Sequence, residues 1–325
     1  MSKFSEFGNQ LYTGDKSFNF TGRRKVWYAI SVIVIAVSAV LPFTLHNGFN
    51  FGIEFKGGSE FSITGASNKG IELARTTLES ELPGKEIQVT TVGADSVRVQ
   101  TPQLSDSKSE TVRQALAEAY GVKSSAVSSS FIGASWGADV TGKALNGLLW
   151  FLALAAVLMA LYFRTIKMSI AAMAALLHDL VITAGIYGSF GFEVTPSAVI
   201  GFLTILGYSL YDTVVVFDKI RENTEEVEHS ETATFAERVN LAINQTLVRS
   251  INTTVVAILP VAAILFIGAY VFGAGTLRDI SLALFIGMLV GTYSTIFIAA
   301  PFYSQLRENE PKFREAAAKV LAKRK

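Results

Sequence analysis

The run Leu145-Asn-Gly-Leu-Leu-Trp-Phe-Leu-Ala-Leu-Ala-Ala-Val-Leu-Met-Ala-Leu-Tyr-Phe163 carries no charged side chain anywhere along its length. A bilayer core of about 30 Å takes roughly 20 apolar residues in helical form, because lipid offers no partner to backbone N–H and C=O groups. The run therefore predicts a membrane-spanning helix. Working outward, residues 26–45, 168–192, 194–217, 251–272 and 280–303 meet the same condition, which makes six spans. Composition agrees, since 50% of the residues are apolar and 17% charged, against about a quarter charged in soluble proteins.

Arg23-Arg24-Lys25 directly precedes the first span, as in a signal-anchor held by positive charge on the cytoplasmic side. The rival reading is a cleaved secretory signal, but the small residues it would use, Ala36-Val-Ser-Ala39, lie inside the apolar run. With residues 1–25 inside, the loops at 164–167 and 218–249 and the basic tail at 304–325 are cytoplasmic, both termini included. The turn at 191–196 carries no Lys or Arg and falls outside.

Between spans one and two, residues 46–141 are patterned like a soluble domain. Ser59-Glu-Phe-Ser-Ile-Thr64 alternates as a strand does, and 86–92, 96–100 and 126–132 do the same. Residues 69–82 and 107–120 repeat apolar side chains at helical spacing. The resulting strand-helix-strand-strand-helix-strand order predicts a ferredoxin-like domain. The predicted fold class is an α-helical polytopic membrane protein: six transmembrane helices plus a small ferredoxin-like α+β extracytoplasmic domain, with residues 142–303 holding spans two to six.

The absence of cysteine rules out disulfides and thiolate metal sites. His46, His178 and His229 are too scattered for a zinc cluster, which leaves only a carboxylate site for magnesium open. No metal or other cofactor is expected. There is no P-loop, no HExxH and no Ser-His-Asp arrangement, so the chain is not read as an enzyme. The acidic segment 222–237 and the basic tail 311–325 read as solvated surface in preference to a contact with anionic lipid or ribosomal RNA, and no nucleic-acid partner is expected.

Charged groups inside a bilayer are expensive and mark functional positions. His178, Asp179 and Asp212 fall within spans three and four. In span four, Ser197, Gly201, Thr204, Tyr208 and Asp212 recur every three to four residues and share one helix face. The tight turn makes spans three and four antiparallel neighbours, so a protonation relay among these groups is within reach. Arg249, at the start of span five, either supplies a cation to that relay or reaches to the cytoplasmic headgroups. Pro260 predicts a kink in span five, and Gly287-x-x-x-Gly291 in span six permits close helix packing.

Several longer runs resemble the SecF family of bacterial protein-export membrane subunits across nearly the whole chain. They are Phe51-Gly-Ile-Glu-Phe-Lys-Gly-Gly-Ser59, Ser135-Trp-Gly-Ala-Asp139, Leu177-His-Asp179, Gly207-Tyr-Ser-Leu-Tyr-Asp-Thr-Val-Val-Val-Phe-Asp-Lys-Ile-Arg-Glu-Asn223 and Asn244-Gln-Thr-Leu-Val-Arg-Ser-Ile-Asn252. The resemblance implies a SecD partner, a twelve-span unit of the resistance-nodulation-division type beside the SecYEG channel, and proton-driven outward export of preproteins across the cell membrane. It places Asp212 at the family's intramembrane aspartate and Arg249 at its basic residue in the fifth span. The family's usual Asp-Phe-Thr-Gly-Gly reads Glu54-Phe55-Lys56-Gly57-Gly58 here, so a cation replaces the threonine. Gly57, Gly58 and Gly207 are read as structural glycines. A passive scaffold of the translocon and an efflux half-transporter of the same superfamily are the competing functions.

Overall fold

The computed structural model describes residues 3–66, 68, 70–92, 96–227, 232–268 and 275–324. His229, Lys69 and the last residues assigned to span five, 269–272, lie outside the described residues. Among the described residues, six helices are long and apolar enough to cross a membrane.

Helix α1 (Lys3–Thr13) precedes the first long helix, α2 (Arg24–His46). After α2 come strand β1 (Asn50–Phe51) and a single helical turn, α3 (Ile53–Lys56). The domain then follows as β2 (Gly58–Thr64), α4 (Ile71–Glu81), β3 (Gln88–Val92), β4 (Ser96–Thr101), α5 (Asp106–Tyr120) and β5 (Val127–Ile132). Its four strands form one antiparallel sheet in the order β3-β4-β2-β5. Period-two alternation turns Phe61, Ile63, Val97 and Val99 inward, where they meet Leu78, Val112 and Leu116 of the two helices. The same alternation leaves Glu60, Arg98 and Gln100 on the opposite face of the sheet.

The remaining long helices are α6 (Ala134–Phe163), α7 (Ile166–Ser189), α8 (Pro196–Thr224), α9 (Phe235–Ala263) and α10 (Gly275–Ser294), the last continued by the short α11 (Ala300–Glu308). A π-turn at Ile264–Gly268 follows α9, a few residues after Pro260, and a second at Thr295–Ala299 joins α10 to α11. Helices α7, α8 and α10 form the inside of the bundle, whereas α2, α6 and α9 leave most of their apolar side chains exposed. Gly287 and Gly201 let α8 and α10 touch. A Cβ at 287 would collide with Ile205, and one at 201 would stand 2.6 Å from Ala283 Cβ.

Strand β6 (Glu193–Val194) lies inside the turn between α7 and α8 and pairs in parallel with β1. The Gly52 N–H donates to the Val194 carbonyl at 3.0 Å and extends the pairing. This short staple fixes the entrance of the domain to the bundle. Gly57 (φ +76°) and Gly58 (φ +149°) then turn the chain from α3 into β2, at a point where a Cβ on Gly58 would stand 2.5 Å from the Thr101 carbonyl oxygen. Gly137 lets α6 lie against the backbone of Phe55.

At the far end from the domain, the segments read as solvated surface are partly docked. Helix α12 (Pro311–Lys323) buries Phe313, Ala316 and Val320, and Phe313 packs against Phe235 with ring centroids 4.4 Å apart. Arg324 donates to Glu237 at 2.6 Å, and Glu237 closes a capping box with Thr234 at the start of α9. The difference from the sequence reading comes from one apolar face on an otherwise charged helix. Asn240 and Asn244 of α9 clasp the 17–20 segment through backbone bonds to Phe18 and Phe20, each at 2.7 Å.

Candidate functional site

The middle of the bundle holds a file of polar side chains. Asp179 of α7 is 1% exposed; its Oδ2 accepts from Ser209 Oγ of α8 at 2.6 Å, and its Oδ1 lies 3.1 Å from His178 Nδ1. One turn further along α8, Asp212 Oδ1 accepts from Ser250 Oγ of α9 at 2.9 Å. Asp212 Oδ2, His178 Nε2 and Thr183 Oγ1 are buried and have no hydrogen-bond partner among the described residues. Ser209, Asp212, Thr213 and Ser250 are all buried. Thr213 pairs with Thr295 at 3.0 Å, on the π-turn below α10.

Glycine spacing sets this geometry. A Cβ on Gly291 would stand 3.1 Å from Ser209 and 3.5 Å from Asp179 Oδ2, so the α10 backbone closes one side of the site. His178 stacks on Tyr293 at 5.9 Å, and the Tyr293 hydroxyl lies 3.2 Å from Ser31 of α2. Four helices besides α8 therefore contribute to the file.

The residues singled out on span four divide between two faces. Asp212 and Gly201 face inward, Ser197 and Tyr208 are half-buried, and Thr204 and Gly207 are exposed. Tyr208 donates to Thr254 at 3.3 Å, while Thr204 turns back to the carbonyl of Ile200. Nothing lies within 4 Å of where a Cβ on Gly207 would stand, so no contact within this chain requires glycine there. Arg249 is exposed and makes no ion pair with Asp212; its neighbour Ser250 meets the carboxylate instead.

A second polar cluster joins the domain to the bundle. Gln100 Nε2 donates to Glu193 Oε1 at 2.7 Å and to Glu60 Oε2 at 3.2 Å. Arg98 lies 3.7 Å from both of those carboxylates. Glu54 and Glu193 converge on Gly52, where a Cβ would meet Glu54 Oε2 and would stand 3.0 Å from Glu193 Oε1. Burial raises the Glu193 carboxyl above its ordinary range, against the opposing pull of Gln100 and Arg98. Burial likewise raises Glu54, whose Oε2 has no hydrogen-bond partner among the described residues. Nearby, Thr195 at the cap of α8 donates to Asp279 of α10 at 2.8 Å. Sequence reading missed this cluster, whose members are individually ordinary charged residues.

The family model described as "Protein export membrane protein SecD/SecF, C-terminal" matches residues 111–309, and the "SecD/SecF GG Motif" matches residues 43–64. The chain is 44% identical over its whole length to the protein translocase subunit SecF of Streptomyces coelicolor, covering 86% of it. It is 40% identical to the SecF of Mycobacterium tuberculosis, with 98% of this chain and 73% of that one covered. Among solved structures, SecDF from Thermus thermophilus overlays 91% of the chain at 33% identity and a TM-score of 0.79. A SecDF in a super-membrane-facing form overlays 93% at 31% identity and 0.61. The chain spans 39% and 40% of those two chains.

Proposed function

The chain belongs to the SecD/SecF family of protein export membrane proteins, and we propose that, with a SecD partner, it couples the proton gradient to outward movement of preproteins at the SecYEG channel. It serves the Sec translocase as an accessory subunit. In this reading both termini are cytoplasmic and the sheet domain stands outside the cell membrane. The basic cluster Arg23-Arg24-Lys25 and the Lys/Arg-free turn at 191–196 support that orientation. The strand order β3-β4-β2-β5 supports a ferredoxin-like domain. The exposed Thr204, Gly207 and Tyr211 of α8 are the contact for SecD, since polar and small residues facing lipid gain from a partner helix.

The observation that carries proton coupling is Asp212: a carboxylate inside the bundle, one oxygen held by a serine hydroxyl and the other unpartnered among the described residues. An ion with no ion-pair partner among the described residues is costly there, so a change in its protonation changes which helix packing is favoured. His178 and Asp179 continue the file across α7. Arg249, exposed in this arrangement, is the cation that approaches when α9 shifts. A gradient of 100 mV is worth about 2.3 kcal/mol per charge, enough to drive such a shift. The lower overlap with the super-membrane-facing form, at nearly equal identity and coverage, supports a family that adopts more than one arrangement.

The test is preprotein export into vesicles holding the reconstituted SecD pair and channel, with and without an imposed gradient. Asp212→Asn is expected to assemble normally and to lose the gradient-dependent part of export. An Asp212→Asn pair that exports as the wild type does would leave the scaffold reading standing and remove this one.

A further inference from the structure

A cavity of about 260 Å³ lies between the domain-side halves of α6, α7 and α8. Its walls are Ala144, Leu145 and Leu148 of α6, Leu180 and Ala184 of α7, and Phe202 of α8. Two residues in the lining carry hydroxyls, and both are engaged elsewhere. Thr141 donates to the Gly137 carbonyl at 2.8 Å, and Tyr187 donates to the Asp279 carbonyl at 2.8 Å. The cavity therefore presents carbon and nothing for water to bind. Enclosed apolar cavities of roughly 150 Å³ stay dry and accept benzene, and a carbon-lined space open to lipid likewise favours an apolar guest over water.

Depth and access narrow the choice of guest. Leu180, Ala184 and Tyr187 fall within the last turns of α7, which ends at Ser189, and so lie within about 15 Å of its domain-side end, the thickness of one leaflet. Helix α6 is the most exposed of the long helices, with Leu149, Trp150, Leu154 and Leu158 all facing outward. Leu145 is both a wall of the cavity and 57% exposed, so the mouth opens on the lipid-facing side of α6. One turn of a partner helix, about 10 Å across and 5.4 Å long with its side chains, takes more volume than the space holds.

We infer that this cavity seats one acyl chain of a phospholipid from the leaflet nearest the sheet domain, beneath the staple that ties the domain to the bundle. The roof is aromatic. The Phe51 ring lies tilted against Phe49 at 6.2 Å and T-shaped against Phe55 at 6.0 Å, and Val194 closes the roof from β6. Phe51, Phe55 and Val194 belong to β1, α3 and β6, and Phe49 directly precedes β1; these elements set where the domain leaves the membrane. A seated chain props that roof, and its withdrawal lets the staple settle onto α6. The acyl chain is thus a structural ligand of the hinge, and membrane composition acts on the domain through it. The inference stands on the cavity and its depth and does not require the proton-coupling role of Asp212.

The experiment uses the full chain in nanodiscs containing phosphatidylglycerol and a phosphatidylcholine that carries a photoreactive diazirine midway along one acyl chain. After illumination, labelled residues are located by mass spectrometry. The expected result is labelling of the inner walls Ala184 and Phe202 at least as strong as that of Leu161, which is exposed at the other end of α6. Filling the cavity with Ala184→Phe should lower the Phe202 label about tenfold and leave Leu161 unchanged. Should that variant fold poorly, Leu145→Trp at the exposed mouth gives the same comparison without touching the core. Labelling confined to Leu145, Leu149 and Leu161 would mean annular lipid only and would overturn the inference, as would a Phe202 label indifferent to both variants.

Discussion

The carboxylates inside the bundle and those at its rim are held by different kinds of partner. Asp179 and Asp212 accept from serine hydroxyls at 2.6 and 2.9 Å, while Glu193 accepts from an amide N–H at 2.7 Å with a guanidinium at 3.7 Å. A hydroxyl donates to a carboxylate and, rotated, accepts from a carboxylic acid, whereas amide and guanidinium N–H groups only donate. The bundle site can therefore gain or lose a proton and keep its hydrogen bonds. At the rim, the donors favour the charged form and burial opposes it, so a proton there changes how firmly the domain is held. One site is suited to carrying a charge change, the other to registering it.

The largest effects should fall on the bundle site. Beyond the complete loss of gradient-driven export expected for Asp212→Asn, removing its hydroxyl partner with Ser250→Ala strips the side-chain hydrogen bond that Asp212 makes among the described residues. Leaving a buried acceptor unpaired costs about 1–3 kcal/mol. Ser250→Ala should lower thermal stability by that order and displace the pH profile of gradient-driven export, while Ser250→Thr, which keeps the hydroxyl, should restore both. An unchanged profile in Ser250→Ala would break the first half of the contrast, because the hydroxyl would then be irrelevant to the proton.

The two sites also differ in how far the sequence reveals them. His178, Asp179 and Asp212 stand out because each interrupts an apolar span, and six spans follow from length and apolar composition. Ser209, Ser250 and Thr183 do not stand out, since hydroxyl residues are common in membrane helices and others here, such as Thr204 and Thr254, simply turn back to backbone carbonyls. Arg249 was legible as a candidate but not its direction, because a rotation of α9 by one residue exchanges it for Ser250. The rim was not legible as a cluster, although Glu54 stands in the glycine motif. Glu54, Glu60, Arg98, Gln100, Glu193 and Asp279 come from five separate stretches of chain, and the β1–β6 staple that gathers them has two residues per strand, below the length at which alternation is detectable. Likewise α12 hides its docked face behind a basic composition.

At the rim the expected effect is moderate and depends on pH. The docked state holds Glu193 and Glu54 with raised carboxyl groups, so it binds protons more tightly than an undocked state in which both return to their ordinary range. Docking should strengthen as the outside pH falls from neutral through those raised values, and level off once the undocked carboxylates are protonated too. Arg98 and Asp279 face both of these groups and Glu60 faces Glu54, and together they set the width of that window. Hydrogen exchange of the Gly52 amide, bonded to Val194 across the staple, reads the opening directly. After correction for intrinsic exchange, its protection should rise on acidification; Glu193→Gln should reduce the slope, and Glu54→Gln combined with it should flatten it. Protection that falls on acidification would mean that the donors outweigh burial, reversing the sense of the coupling.

The smallest effect separates the two donors of the rim. Arg98 reaches Glu193 only at 3.7 Å, with the side chains 25% and 13% exposed, beyond the roughly 2.7–2.9 Å of a charge-assisted hydrogen bond. Part-exposed pairs of this kind are worth about 0.2–1 kcal/mol. Gln100, 6% exposed and 2.7 Å away, has the better geometry. Double-mutant cycles on Gly52 exchange, pairing Glu193→Gln with Arg98→Gln or with Gln100→Leu, should therefore give the larger coupling for Gln100. A larger coupling for Arg98 would make the rim an ion pair first and a buried amide contact second. Docking would then weaken in salt, Glu193 would stay charged through most of the outside pH range, and only the bundle site would remain responsive to protons.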